Sequence, residues 1–231
     1  LKGSVKVLTE ILSFTNPAVF SSGTRIHSVV MRLADVLEVD NRWQLEIASL
    51  MCQIGCISLP GEILNKLFAN KDLNEEEKEL FEKHPKVGAD LLKQIPRMKG
   101  VTYIIANHLK PFSDYSSEEK DSDDDLVLSA QIIKAAFDYD LLLYNGVPHP
   151  DALRIMKQRA TSYNAKVLDA FKLIKASDED TRVVSIRVGE ISIGMIVEEN
   201  ITAKNGTLLA PKGQEITWPI LQGLLNFSRQ V

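Results

Sequence analysis

Between Leu50 and Pro60 the chain reads Leu-Met-Cys-Gln-Ile-Gly-Cys-Ile-Ser-Leu-Pro. An apolar run, then Gly55, then Pro60 form a strong helix-stop signal. A helix that ends on so apolar a run ends inside a core. The stretch therefore predicts a buried helix terminus in a mainly α fold. The flanks agree. Ile26, Val29, Val30, Leu33, Val36 and Leu37 recur at helical spacing, the pattern of an amphipathic helix. Asn41 can cap the next helix, in which Trp43, Leu45, Ile47, Ala48, Leu50 and Met51 read as buried. With 45% hydrophobic residues in 231 positions there is ample material for a core. The net charge of −4 argues against a surface built for polyanions.

In chain order, residues 2–14 carry Val5, Val7, Leu8, Ile11, Leu12 and Phe14, close to helical period. Pro60 to Ala69 reads as a short helix. Asn74-Glu-Glu-Glu starts another, with an Asn cap and acids where the helix dipole favours them. Helical patterns follow at Val87–Gln94 and Met98–His108, then at Leu126–Leu143, Asp151–Tyr163 and Ala165–Lys175. Ser113–Asp125 is an acidic, solvated loop. Its Asp121-x-Asp123-x-Asp125 is no calcium loop, because Leu126 stands where the turn needs Gly and Ile132 where it needs a bidentate Glu. His149, between two prolines, reads as exposed and inert. Past a polar linker at Ser177-Asp-Glu-Asp180 the composition changes. Arg182–Val188, Glu190–Val197, the segment around Ile201 and Gly206–Ala210 read as short strands, with Asn205-Gly206 as a hairpin turn. Thr217–Leu225 reads as a closing helix. The expected division is a helical domain at 1–176 and a small β-rich module at 177–231.

Cys52 and Cys56 have no other cysteine near them in sequence, so they cannot make a usual tetrahedral site. They read as buried thiols in a reducing cytosol. No apolar run approaches the roughly 20 residues of a membrane span, and no signal peptide is expected.

Three stretches carry more than helix signals: Leu50–Pro60, then His84-Pro85-x-x-Gly88, then Ile104-Ile-Ala-Asn-His-Leu109. In that order and at those gaps they resemble the HD-GYP branch of the HD phosphohydrolases, whose stretches read Leu-Leu-His-Asp-Ile-Gly-Lys-Ile, His-Pro-x-x-Gly and His-His-Glu. The resemblance implies an HD-type helical bundle. It also implies a site where His and carboxylate ligands hold metal ions that activate a water against a phosphodiester. Carried over by position, the first-helix His falls on Ser22, in register with Arg25-Ile26, and an added Glu falls on Ala18. The His-Asp doublet falls on Cys52-Gln53. The later His falls on His84, and the His-His pair on Asn107-His108. The last Asp falls on Phe137, with Asp138 one residue off. The Gly-Tyr-Pro signature is absent. His27 lies five residues past the ligand position and reads as a non-ligand.

Scaffold residues are thus present where most ligand residues are replaced. That is closest to the degenerate HD domains of bacterial response regulators, which Ile95-Pro-Arg97 also resembles. The tail Gly194-Met-Ile-Val…Gly206-Thr-Leu-Leu-Ala-Pro-Lys-Gly213 resembles their small terminal module. The resemblance implies a non-catalytic signalling output region with no metal and no cofactor, working in the cytoplasm through protein contacts. Ser22, Cys52, Gln53, His84, Asn107, His108 and Phe137 would line a vestigial pocket. It also implies a receiver domain on the N-terminal side of the intact protein, and a homodimer or intramolecular contact through the helix at 2–14. Nucleic acid and membrane are not expected as partners. The alternative is a metal-dependent cyclic di-GMP phosphodiesterase with an unusual ligand set.

Overall fold

The computed structural model describes residues 3, 5, 17–40, 42–68, 71–120, 125–174, 184–204 and 206–228. The expectations for Asn41, Asn205, the linker at 177–180, and residues 2–14 apart from Gly3 and Val5, lie outside them. The protein is mostly helical, with one small two-stranded sheet near its C-terminal end. No helix among the described residues is long and apolar enough to cross a membrane.

Contacts divide the chain into two units: Ile26–Lys175, and a second that joins Leu1–Arg25 to Ala176–Val231. The described residues up to Arg25 group with the C-terminal module by contacts.

Helices α1 (Pro17–Val36), α2 (Arg42–Met51), α3 (Gly61–Phe68), α4 (Glu75–Leu92), α5 (Lys99–Asn107), α6 (Ser117–Lys120), α7 (Leu126–Tyr144), α8 (His149–Gln158) and α9 (Ala165–Ala170) run in that order, with α1 contributing to this unit from Ile26 onward. A 3-10 turn, Ile54–Ser58, follows α2. α5 packs against α2, α4 and α7, and α7 also receives α8 and α9. α7 is buried almost all round, through Val127, Ala130, Ile132, Ile133, Ala136 and Tyr139 among others. A helix apolar on every side belongs at the centre of a core. Its buried Gln131 ties two segments to it, donating to the Lys110 carbonyl at 2.8 Å and accepting from the Asn164 N–H at 3.2 Å.

α4 corrects the sequence reading, which separated a helix at Asn74 from a pattern at Val87. The structure runs one helix through Pro85. Its start is as expected: Asn74 accepts from the Glu77 N–H at 2.8 Å, and the Glu77 carboxylate accepts from the Asn74 N–H at 2.9 Å. Such a cap contributes on the order of 1 kcal/mol. Trp43, expected to be buried, is 39% exposed. The described part of the acidic loop is largely exposed, as expected, while Tyr115 within it is buried and its hydroxyl donates to the Asn107 carbonyl at 3.3 Å.

In the second unit, β1 (Ile201–Thr202) pairs antiparallel with β2 (Leu208–Ala210), and α10 (Trp218–Ser228) closes the module. Val197, Ala210, Ile216, Ile220 and Leu224 form its core. The strands expected around 182–188 and 190–197 shrink to unpaired chain at 184–187, a 3-10 turn at Val188–Glu190 and a single bridge, Ile196 to Glu215. The Lys212 carbonyl receives Arg25 Nη1 at 3.3 Å and Ser21 Oγ at 3.5 Å, both from α1. Gly213 beside it has φ +77°, and a Cβ there would lie 2.6 Å from Arg25 Nη1. The positive φ is what favours glycine there.

Candidate functional site

The 3-10 turn after α2 lies directly on α4. A Cβ on Gly55 would stand 1.9 Å from the His84 carbonyl oxygen, and one on Gly88 would stand 3.2 Å from the Gly55 nitrogen. The two glycines allow backbone to meet backbone, and this fixes the height at which His84 projects. Pro85 sets its orientation. Proline has no N–H, so it cannot close the helical bond to the carbonyl four residues back, which is that of Phe81. His84 Nδ1 takes that carbonyl instead, at 2.6 Å. His108 sits at the C-terminal end of α5, where helix carbonyls lack intrahelical donors. Its Nδ1 lies 2.7 Å from the Ile105 carbonyl.

These bonds fix both rings. A carbonyl only accepts, so each Nδ1 carries the proton, and each neutral ring presents Nε2 as a lone-pair acceptor. The rings lie 5.3 Å apart, edge to face, and both side chains are fully buried. Among the described residues, neither Nε2 has a hydrogen-bond donor. An unsatisfied buried acceptor costs about 1–3 kcal/mol. Burial pulls the pKa of His84 down to about 4. Burial, the neighbouring His84 and the Lys134 charge pull His108 down to about 3. Both rings are neutral at pH 7.

Apolar and cationic groups close in on the pair. The Phe81 ring is 4.7 Å from His84, and the Phe137 ring is 6.5 Å from His108. Lys134, 8% exposed, holds Asp138 at 3.0 Å, and the Tyr163 hydroxyl donates to the same carboxylate at 2.8 Å. The sequence reading missed Phe81 and Lys134. Each stands one helical turn before a residue it had singled out, His84 and Phe137, and that spacing was the available signal.

Residues 6–167, well over half of the chain, match the family model of the HD domain. The chain belongs to the HD domain family. Among solved structures, its fold is similar to that of Bd1817, a HDG"Y"P protein from Bdellovibrio bacteriovorus. The TM-score is 0.51 and the identity 22%, over 65% of this chain. The match spans half of that protein's length, 50%. At this identity the likeness is one of fold. None of the curated proteins gives a significant match.

The metal centre implied by the resemblance to HD hydrolases can be tested against the donors present here. The two imidazoles suit it: a ligating His characteristically gives its other N–H to a carbonyl. The remaining positions do not. Cys52 is buried, its thiol donates to the Ser49 carbonyl at 3.3 Å, and burial pushes its pKa up to about 12. Metal ligation needs the thiolate. Gln53 is buried and neutral. Asn107 turns back on its own helix, its Nδ2 donating to the Tyr103 carbonyl at 2.8 Å. Phe137 has no donor atom, and Asp138 is engaged with Lys134 and Tyr163. Among the described residues, no three His, Cys, Asp or Glu side chains group as a metal site. The residues therefore do not fit a binuclear centre.

Of the seven expected pocket residues, the structure brings His84, His108 and Phe137 together. Cys52 and Gln53 follow the last residue of α2, just ahead of the turn that touches His84. Ser22 is buried on the part of α1 that groups with the C-terminal module. His27, read as a non-ligand, shares a 2.7 Å hydrogen bond with Ser49 Oγ. His149 corrects its reading as inert, since its Nδ1 is 2.6 Å from the hydroxyl of buried Tyr139.

Proposed function

We propose that this HD domain is a signalling region that does not hydrolyse phosphodiesters, the output part of a response regulator acting through protein contacts. One observation carries the reading. Around two well-oriented imidazoles, the positions that should supply the remaining His and carboxylate ligands hold a protonated thiol, two neutral amides and a phenyl ring. Water activation for phosphodiester attack needs cations held by anionic and imidazole donors. Here the charged neighbour of the pair is Lys134, itself a cation. The response-regulator assignment draws on the terminal module and the Ile95-Pro-Arg97 phrase. A receiver domain on the N-terminal side of the intact protein would supply the input.

The second reading, a metal-dependent phosphodiesterase acting on cyclic di-GMP, is favoured by the two unpartnered Nε2 atoms. Metal analysis and an assay separate the two. The purified protein is expected to carry less than one equivalent of transition metal and to leave cyclic di-GMP intact with manganese or iron present. One or more equivalents, lost in His84→Ala, would establish the second reading in place of the first. The Cys52→His, Gln53→Asp double variant is expected to remain inactive, because Asn107 and Phe137 still lack the chemistry.

A further inference from the structure

α4 has two apolar faces, and the core uses one. His84, Pro85, Gly88, Ala89 and Leu92 are buried. Leu80 is 40% exposed and Leu91 52%, with Val87 half-buried between them and Ile95, just past the helix end, 36% exposed. Positions 80, 87 and 91 recur at helical spacing, so they form one stripe. Ile57, on the turn that packs against α4, is 53% exposed as well. Such a stripe on a helix already anchored along its other face is a surface for a partner.

The charges beside the stripe say which partner. Up to residue 82, α4 carries five glutamates (75, 76, 77, 79 and 82) against Lys78. From residue 83 the sign reverses: Lys83, Lys86 and Lys93 stand against Asp90. Glu79, Lys83, Lys86 and Asp90 are all exposed and lie along one flank of the stripe. A helix acidic in its first half and basic in its second is complementary to its own reverse.

We propose that this face of α4 is an interface between two copies of the chain, packed antiparallel about a twofold axis passing beside Val87. A twofold interface brings the same patch from each copy into contact, so the patch must complement itself. Centred on Val87, the pairing sets Leu80 of one copy against Ile95 of the other. Asp90 then falls beside the other copy's Lys83 and Lys86. A parallel pairing would stack the acidic halves on each other. The present partners of these charges do not stand in the way. Lys83 holds Glu79 at 2.6 Å and Lys93 holds Asp90 at 2.8 Å, both exposed pairs within one helix, which re-pair at little cost. The helix has 18 residues, a length of about 27 Å. A contact of that size is at the small end of stable interfaces, so the dimer forms in the micromolar range or weaker.

Sedimentation equilibrium of the full chain across concentration tests this, beside the Leu80→Glu, Leu91→Glu double variant. Both leucines are exposed, so the variant should fold, as checked by its helical circular dichroism and melting. The wild type is expected to dimerise, with the variant's dimer at least tenfold weaker. A monomer at every concentration overturns the proposal, as does a dimer that the variant leaves unchanged. Single cysteines read the direction, because Cys52 and Cys56 are both buried. With a short bis-maleimide, Val87→Cys is expected to cross-link to its own copy and Leu80→Cys is not. The reverse result overturns the antiparallel pairing.

Discussion

The turn that ends α2 and the middle of α4 meet in one place and carry different things. At α4, Gly88, Pro85 and His84 form a closed set: glycine admits the turn, proline frees a carbonyl, and the imidazole takes it. At α2, Gly55 preserves the packing while Cys52 and Gln53 bring no charge. Packing and chemistry are therefore separable here. The backbone contact needs only Gly55 and Gly88, and the fold survives whatever the neighbouring side chains can ligate.

The largest expected effect separates the two regions by pH. Both imidazoles titrate well below the 6.5 of an unfolded His, so the unfolded chain binds more protons between that value and about 4. Stability is full above pH 6.5 and falls as pH drops toward the folded values. By pH 5 the loss is about 2 kcal/mol for each ring. His27, also lowered by burial, adds to it in the same sense. The depressed carboxylates Glu77, Glu79 and Asp90 act at lower pH, so the interval from 6.5 to 5 reads the imidazoles. Urea unfolding across that interval should show the loss, and the His84→Gln, His108→Gln variant should flatten it. An equal slope in the variant would mean that the rings are not held neutral.

Next comes Gly55→Ala, which presses a methyl into the His84 carbonyl and should cost roughly 3 kcal/mol, the upper end for overpacking. A urea midpoint shifted by less than a third of that would show that the turn can lift off α4, and the contrast between the two regions would fail. The smallest effect belongs to Pro85→Ala. It gives the Phe81 carbonyl a backbone donor and should change stability by less than about 1 kcal/mol. Its mark is spectroscopic: 15N chemical shifts of His84 should show the proton leaving Nδ1 for part of the population.

Much of this scaffold was legible in the sequence, because glycines and prolines at fixed spacing report backbone contacts directly. The convergence of His84, His108 and Phe137 followed from motif order. What stayed hidden depends on contacts between distant segments: that Lys134 would face His108, that Asn107 would bond its own helix, and that Tyr139 would reach His149. The C-terminal module misled for a related reason. Alternating β-branched residues at 182–188 state a preference for extended chain, but a strand needs a neighbour, and the described residues 184–187 have none in a ladder. Ile201–Thr202 has one in Leu208–Ala210.

The missing N–H of Pro85 bears on which substitutions the chain can accept. Wherever proline follows position 84, the Phe81 carbonyl is left in want of a donor inside the core, and the residue at 84 has to provide it. At 84 the backbone itself keeps demanding a short side chain with an N–H in reach. The imidazole at 84 therefore testifies to a helix with a proline in it before it testifies to a metal.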